Sequence, residues 1–336
     1  MDSLLLGADV HHFGFSAMTP LASPLVCNAY NTRDADEHAA CLTGWGQCYE
    51  QLSAGAFQGE FEEFCFDKVQ LFRERINQSM HESGMPWLGS RTFGVATSME
   101  GEGWFCGEPF KRDSIIALPG GEIMDFRTPR QHEILAIVVD AKAFDEYTQT
   151  VEQRDLAAAL NAGALLSATP QHTEQLRAFL ATLFESLKRA PKMLEHPQIR
   201  KALTQAAFAS IVDILDAAPK TKPSPADRAH QTVVDRARAF LNARTDAPVS
   251  VADLCAHLGV SRRTLQYGFQ EVLGIRPMQF LRVIRLNHVR RALKKADPNA
   301  ETIGDIAARW GFWHLSRFAT DYREMFGELP SDTLRR

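Results

Sequence analysis

Near the C-terminal end of the chain, one arrangement of apolar positions occurs twice. ADLCAHLGVSRRTLQYGFQEVLG and GDIAARWGFWHLSRFATDYREMFG each read as a short amphipathic helix, a glycine (Gly259 or Gly311) and a longer helix. In the longer helices Leu265 and Phe269, and then Phe318 and Tyr322, stand four residues apart, so each pair shares one helix face. Each glycine can supply the left-handed turn that redirects the chain. Cys255 and Ala307 put small side chains where the paired helices cross. Two helix-turn-helix units are therefore expected. Between them Pro277 can open a helix, and Phe280, Leu281, Ile284, Leu286, Val289 and Leu293 carry the helical period to Lys295. That rod spans about 28 Å at 1.5 Å per residue. It suits two recognition helices entering successive major grooves about 34 Å apart on one face of DNA.

Upstream the period changes to two. From Glu60, Phe61 to Phe66 and Val69 to Phe72 predict two strands joined by a turn. Arg91–Ser98, Gly103–Cys106, Ile115–Leu118, Ile123–Phe126 and Ile134–Val139 continue the series between Gly- and Pro-rich turns. Short strands at this spacing predict a small antiparallel barrel or a sandwich. Before Gly59 no period convinces, although Asp34 to Cys48 is compatible with a short helix. After Asp140 helices are expected over Ala141–Leu166, interrupted near Asn161 and Gly163, then over His172–Arg189 and Ile199–Ala217. The last two read equally as a dimer interface or as a cap on the barrel. Three prolines between Pro219 and Pro225 mark a stiff linker, after which Asp227–Leu241 forms a helix and Ser250 caps the next. The expected division is 1–217, a linker at 218–225, and 226–336.

A chain of 336 residues, 45% hydrophobic and 23% charged, can bury two cores and has an ordinary globular composition. No apolar run is long enough for a membrane span and no signal peptide is evident, so a cytoplasmic protein without membrane contact is expected. The net charge of −4 is unevenly divided: residues 226–336 carry 18 Lys and Arg against 12 Asp and Glu, while the remainder is at −10. The basic surplus lies where phosphate contact needs it. Cys27, Cys41, Cys48, Cys65, Cys106 and Cys255 form no C-x-x-C pair and read as buried thiols, with a redox pair of Cys41 and Cys48 as the alternative. His81 and His132 are far apart in sequence and no H-x-H occurs, so neither metal nor other cofactor is expected.

The C-terminal residues resemble those of the AraC/XylS transcriptional regulators. Gly311-Phe312, Ser316, Phe318, Tyr322, Phe326-Gly327, Pro330 and Arg335 follow that family's signature, as does Leu286 after Arg285; Val289 stands where the family usually has Ala. FGELPSDTLR is similar to the branch of benzoate- and toluate-responsive activators, and WGFWHL with FATDY is similar to the ethanolamine-utilisation regulator. The resemblance begins near Arg228. It implies an α+β protein, with a β-rich, cupin-like N-terminal sensor flanked by helices and an all-α double helix-turn-helix domain.

In the first unit Ser261 is the expected helix N-cap, and Arg263, Tyr267 and Gln270 project outward with Gln266 at the flank. The resemblance implies base contacts at Arg263, Gln266 and Tyr267. Arginine can read guanine and glutamine adenine, whereas Arg262 and Ser261 suit phosphate. In the second unit Ser316, Arg317 and Thr320 face outward and Leu315 can meet a thymine methyl. Trp313 is expected to stack between the two units, and His257 and His288 to be structural or solvated. Phe64, Phe66, Phe93, Trp104 and Phe126 are candidates for an apolar effector pocket in the barrel mouth.

The function expected is a sequence-specific regulator, an activator by preference. Its partners are double-stranded promoter DNA, RNA polymerase, a small effector (an ethanolamine-like amine or an aromatic acid) and, on the dimer reading, a second copy. Two alternatives are a constitutive or partner-controlled DNA binder with a structural N-terminal part, and an enzyme fused to a DNA-binding module. The proline-broken linker implies control through domain arrangement, by masking the DNA-binding part or by setting its spacing in a dimer.

Overall fold

Strands rich in Phe, Val and Ile alternate inward and outward side chains, and two antiparallel sheets result. In a computed structural model of the chain, the described residues are 25–153, 156, 160, 164–217, 225–242, 244, 248–298 and 300–335. One sheet has the order β1 (Val26–Thr32), β3 (Gly59–Phe66), β4 (Val69–Ile76), β11 (Arg130–Asp140), β6 (Ser90–Glu100), β9 (Ser114–Pro119) and β12 (Leu165–Ser167). The other runs β2 (Gly46–Gln51), β5 (Met80–Met85), β10 (Met124–Arg127), β7 (Gly103–Phe105) and β8 (Glu108–Phe110).

Apart from the edge strand β1, the strands of the larger sheet split their side chains between two cores. Phe61, Phe72, Ala96, Ile116, Ile134 and Ala136 point toward the smaller sheet, where Phe105, Phe110, Met124 and Phe126 meet them. Phe64, Phe66, Leu71, Phe93, Val95, Leu135 and Ile137 point the other way, under α2 (Ala141–Thr150), α3 (Pro170–Arg189) and α4 (Pro197–Ala217). Leu176, Leu180, Leu183, Leu187, Ile211 and Leu215 close that second core. Burying one such side chain contributes about 1.5–3 kcal/mol. Since α3 and α4 turn these apolar residues onto the sheet, they cap it.

Five strands escaped the sequence pattern: β1, β2, β5, β8 and β12. The helix expected over Ala141–Leu166 stops at Thr150, and Leu165 and Leu166 pair instead with Ile116 and Ile115 on β9. Asn161 and Gly163 lie outside the described residues, as do 218–224 of the expected linker. The six cysteines are free thiols and no disulfide joins Cys41 to Cys48; Cys65 is buried, but Cys27 is exposed and the others are half-buried. The short helix in the early region is α1 (Ala35–Ala39), capped by the Asp34 carboxylate on the Asp36 and Glu37 amides.

The C-terminal elements are α5 (Pro225–Asn242), α6 (Val251–Leu258), α7 (Arg262–Leu273), α8 (Pro277–Lys295), α9 (Ile303–Arg309), α10 (Leu315–Phe326) and α11 (Pro330–Leu334). Capping boxes open both short helices, Ser250 with Asp253 and Thr302 with Asp305. Gly259 and Gly311 take the left-handed turn, with φ of 67° and 79°. Leu265 and Phe269 enter one core with Phe280, Leu281 and Ile284 of α8. Phe318 and Tyr322 enter another with Val283, Leu286, Val289 and Leu293. One rod thus carries both helix-turn-helix units.

Candidate nucleic-acid interface and ligand cavity

The outward residues of the two recognition helices, α7 and α10, remain uncovered. Arg262, Arg263, Gln266, Tyr267 and Gln270 are exposed on α7, and Leu315, Ser316, Arg317 and Thr320 on α10. The Ser261 hydroxyl accepts from the Thr264 amide at 3.1 Å, and so sets the start of α7. The Arg263 guanidinium lies over the Tyr267 ring, 5.4 Å from its centroid, and the two side chains form one outward unit. Thr320 returns its hydroxyl to the Ser316 carbonyl at 3.1 Å.

Between the recognition helices runs a concave groove lined by Arg262, Arg276, Met278, Arg282, Arg285, Trp313 and Arg317. Among the described residues Arg262, Arg276 and Arg317 take part in no ion pair, whereas Arg282 pairs with Asp321. Burial, then the neighbouring Arg282 charge, pull the Arg285 guanidinium down from its ordinary value. An incoming phosphate would relieve that repulsion. Trp313 does not stack between the units: at 76% exposure it stands over this groove. The stacking tryptophan is Trp310, face to face with His288 at 4.5 Å. His257 stacks on Phe240 at 4.0 Å.

The opposite face of α8 meets the N-terminal part. Met278, Arg282 and Arg285 recur at i, i+4 and i+7 toward the groove; Asn287, Arg291 and Lys294 recur likewise toward the sheets. At about 100° per residue, Arg285 and Asn287 lie roughly 200° apart round the helix. Arg291 pairs with Asp36 at 2.8 Å and with Glu50, and donates to the Tyr49 carbonyl at 2.8 Å. Asp34 holds Arg290 at 2.7 Å and also Lys294. Asp125 holds Arg238. The Gln51 side-chain amide (2.7 Å) and the Gly55 amide (3.1 Å) both donate to the Met325 carbonyl, one of the orphan acceptors at the end of α10. Leu52 packs against both helix-turn-helix cores. Part of the basic surplus thus answers the acidic N-terminal part rather than DNA.

Strand β2 joins this interface to a cavity between the sheets. Cys48 and Glu50 face α5 and α8, while Gln47 lines the cavity with Trp45, Phe72, Glu74, Glu82, Thr92, Phe105, Met124 and Phe126. The cavity measures about 30 Å³. Of the five aromatics expected to form a pocket, Phe126 alone lines it. Phe64, Phe66 and Phe93 sit on the other face of the larger sheet, since their strand positions have the opposite parity. Trp104 lies beneath the Arg127 guanidinium, 4.1 Å from its ring. Tyr49 donates to Glu74 at 2.8 Å, and His38 Nε2 lies 3.1 Å from the same carboxylate oxygen. These donors hold Glu74 below the usual carboxylate range although burial, the largest influence, works to raise it.

Residues 254–336 match the family model described as a helix-turn-helix domain. Over 274 residues, 80% of this chain and 79% of the relative, the chain is 27% identical to a probable thc operon regulatory protein of Rhodococcus erythropolis. Over 100 residues, 30% of this chain and 64% of the relative, it is 37% identical to XylDLEGF operon transcriptional activator 2 of Pseudomonas putida. Among solved structures, the AraC-like transcriptional activator CuxR covers 84% of this chain and all of its own at 17% identity, with a TM-score of 0.39. The two exposed recognition helices and the family match make this chain a DNA-binding transcriptional regulator. Its helix-turn-helix domain is of the AraC type.

Proposed function

We propose that the chain is an effector-controlled activator which reads promoter DNA with α7 and α10 in successive major grooves. The observation that carries this reading is the arrangement around α8, with the arginine-lined groove and both recognition helices on one face and the sheets on the other. Arg263, Gln266 and Tyr267, and Leu315, Ser316, Arg317 and Thr320, are the base-reading candidates; Ser261 and Arg262, joined by Arg276 and Arg285, hold phosphate. The described residues of the N-terminal part leave this surface open, which argues against control by their covering it.

Control runs instead through β2 and the loop after it. A ligand between the sheets moves Gln47 on one face of β2, and Cys48 and Glu50 on the other face bear on α5 and α8. Gln51, Leu52 and Gly55 then reach the end of α10 and the seam between the two cores. Such a ligand acts by binding one arrangement of the two units better than another. As an activator in the cytoplasm, the bound protein offers a surface to RNA polymerase beside its site. Its Pseudomonas putida relative is described as a transcriptional activator, which agrees with that direction. Selection of bound sequences from a random duplex library tests the reading. The expected outcome is two conserved half-sites about 10–10.5 base pairs apart; a single conserved half-site, or none, contradicts it.

A further inference from the structure

We propose that the cavity between the two sheets is a binding site for a small organic ammonium ion, held by Glu82 inside a box of aromatic rings. This rests on the reading of the N-terminal part as the effector-binding part, and it names the charge class of the effector.

The site is built by register. Tyr49, Glu82, Phe126 and Phe105 lie side by side across β2, β5, β10 and β7, so they form one row of the smaller sheet. Phe72, Ala136, Gly94 and Ile116 form the facing row of the larger sheet. Ala136 and Gly94 leave space at the centre of that row. Trp45, Phe72, Phe105 and Phe126 then present four aromatic groups to the space, and ring faces attract a desolvated cation.

The polar atoms at the site ask for a donor. Glu82 is 3% exposed, and its Oε1 has no hydrogen-bond partner among the described residues; nor has Gln47 Oε1 or the buried Thr92 hydroxyl. Of these three, Gln47 Oε1 can only accept, and so can Glu82 once it is ionised. A buried acceptor left unmatched costs about 1–3 kcal/mol, so this lining favours a ligand bearing N–H groups. Among the described residues no Lys, Arg or His lines the cavity, while two carboxylic side chains do. An aromatic acid entering it would bring a third carboxyl group beside these two with no cationic side chain in the lining to pair it, which disfavours the anionic class.

Glu82 is suited to respond. Burial, and then the Glu74 carboxylate, push its pKa well above the ordinary carboxylate range. A cation beside it works the other way and favours the ionised carboxylate, so Glu82 and an ammonium ion stabilise one another's charge. At about 30 Å³ the cavity has room for two or three water-sized groups, taking roughly 10–15 Å³ for each. The ligand is therefore small, or it enters by displacing the flexible Met124 side chain in the lining.

The test uses the full chain and measures its melting temperature and calorimetric titration with methylammonium, ethanolamine, choline and benzylamine. Benzoate and acetamide serve as the anionic and neutral counterparts. At least one ammonium ion is expected to raise the melting temperature at millimolar concentration while benzoate does not. Glu82→Gln, which keeps the shape and loses the charge, should weaken that ion at least tenfold, and Phe105→Leu should weaken it less. The melting temperature without ligand shows that each variant folds. If acetamide or benzoate binds and no ammonium ion does, the cation assignment fails while effector control stands. An ammonium ion that binds Glu82→Gln as tightly as the parent also overturns the assignment. Should no compound of any charge bind, both the assignment and effector control at this cavity fall.

Discussion

Asn287, on the helix that joins the two helix-turn-helix units, forms a two-way pair with the backbone of Gln51 at the end of β2. Its Nδ2 donates to the Gln51 carbonyl at 3.1 Å, and its Oδ1 accepts from the Gln51 amide at 3.3 Å. Both residues are buried, so the pair stands in for a missing strand neighbour. It ties the DNA-reading rod to the strand that lines the cavity.

Removing that side chain strands two backbone groups at once. Asn287→Ala should destabilise the chain by about 1–3 kcal/mol for each group left unmatched. Urea denaturation monitored on both halves is the check. A loss below roughly 0.5 kcal/mol would mean that the two halves are not held together there.

On the DNA face, Arg263→Ala should weaken specific binding by about 1–3 kcal/mol and relax preference at one base pair. Arg262→Ala should weaken specific and non-specific binding alike and reduce the salt slope by about one. Titrations on matched and scrambled duplexes at several salt concentrations separate the two. Equal, sequence-independent losses for both variants would remove Arg263 from base reading.

Trp313 offers a cleaner partition of stability from binding, because its ring stands in solvent. Trp313→Ala should change unfolding stability by no more than about 0.5 kcal/mol, as expected of an exposed position without buried partners. DNA affinity should fall nonetheless, as seen by fluorescence anisotropy. Unchanged affinity would place the groove outside the DNA contact.

His132 sets an acid limit on the fold. It is buried against Phe110 and Phe126, and neither ring nitrogen has a hydrogen-bond partner among the described residues. Burial pushes its pKa down to about 4. The unfolded chain takes up the proton near 6.5 and the fold resists it, so stability is fully present above about pH 6.5 and is lost as pH falls toward 4. At about 1.4 kcal/mol per unit of pKa, this loss reaches roughly 3 kcal/mol. His132→Phe should flatten the difference in urea midpoint between pH 7 and pH 5. An unaltered slope would assign the acid sensitivity to other groups.

The C-terminal third was legible because its signals are local and redundant. Pro277 at the first turn and the apolar period to Lys295 bound α8 at the residues expected. Leu265 and Phe269, like Phe318 and Tyr322, are buried as the spacing implied. Strands built of Phe, Val and Ile were legible for the same reason. Strands β2, GQCYEQ, and β5, MHESGM, were not, because Gln47, Gln51 and Glu82 put polar side chains where a strand pattern needs apolar ones. Those residues are polar for the cavity and the interface, which no local pattern announces. Phe64, Phe66 and Phe93 were chosen as pocket residues by size, whereas a strand decides by parity. The acidic N-terminal balance was plain in the composition, but its partner, the far side of α8, is visible only in three dimensions.

Hydroxyl-radical footprinting of the full chain on a selected duplex tests most directly the claim that one face of α8 serves DNA and the other serves the sheets. Two clusters of protected sugars about one helical turn apart, both on one face of the duplex, are the result the account predicts. Protection around the whole circumference of the duplex, or confined to a single groove, would contradict it.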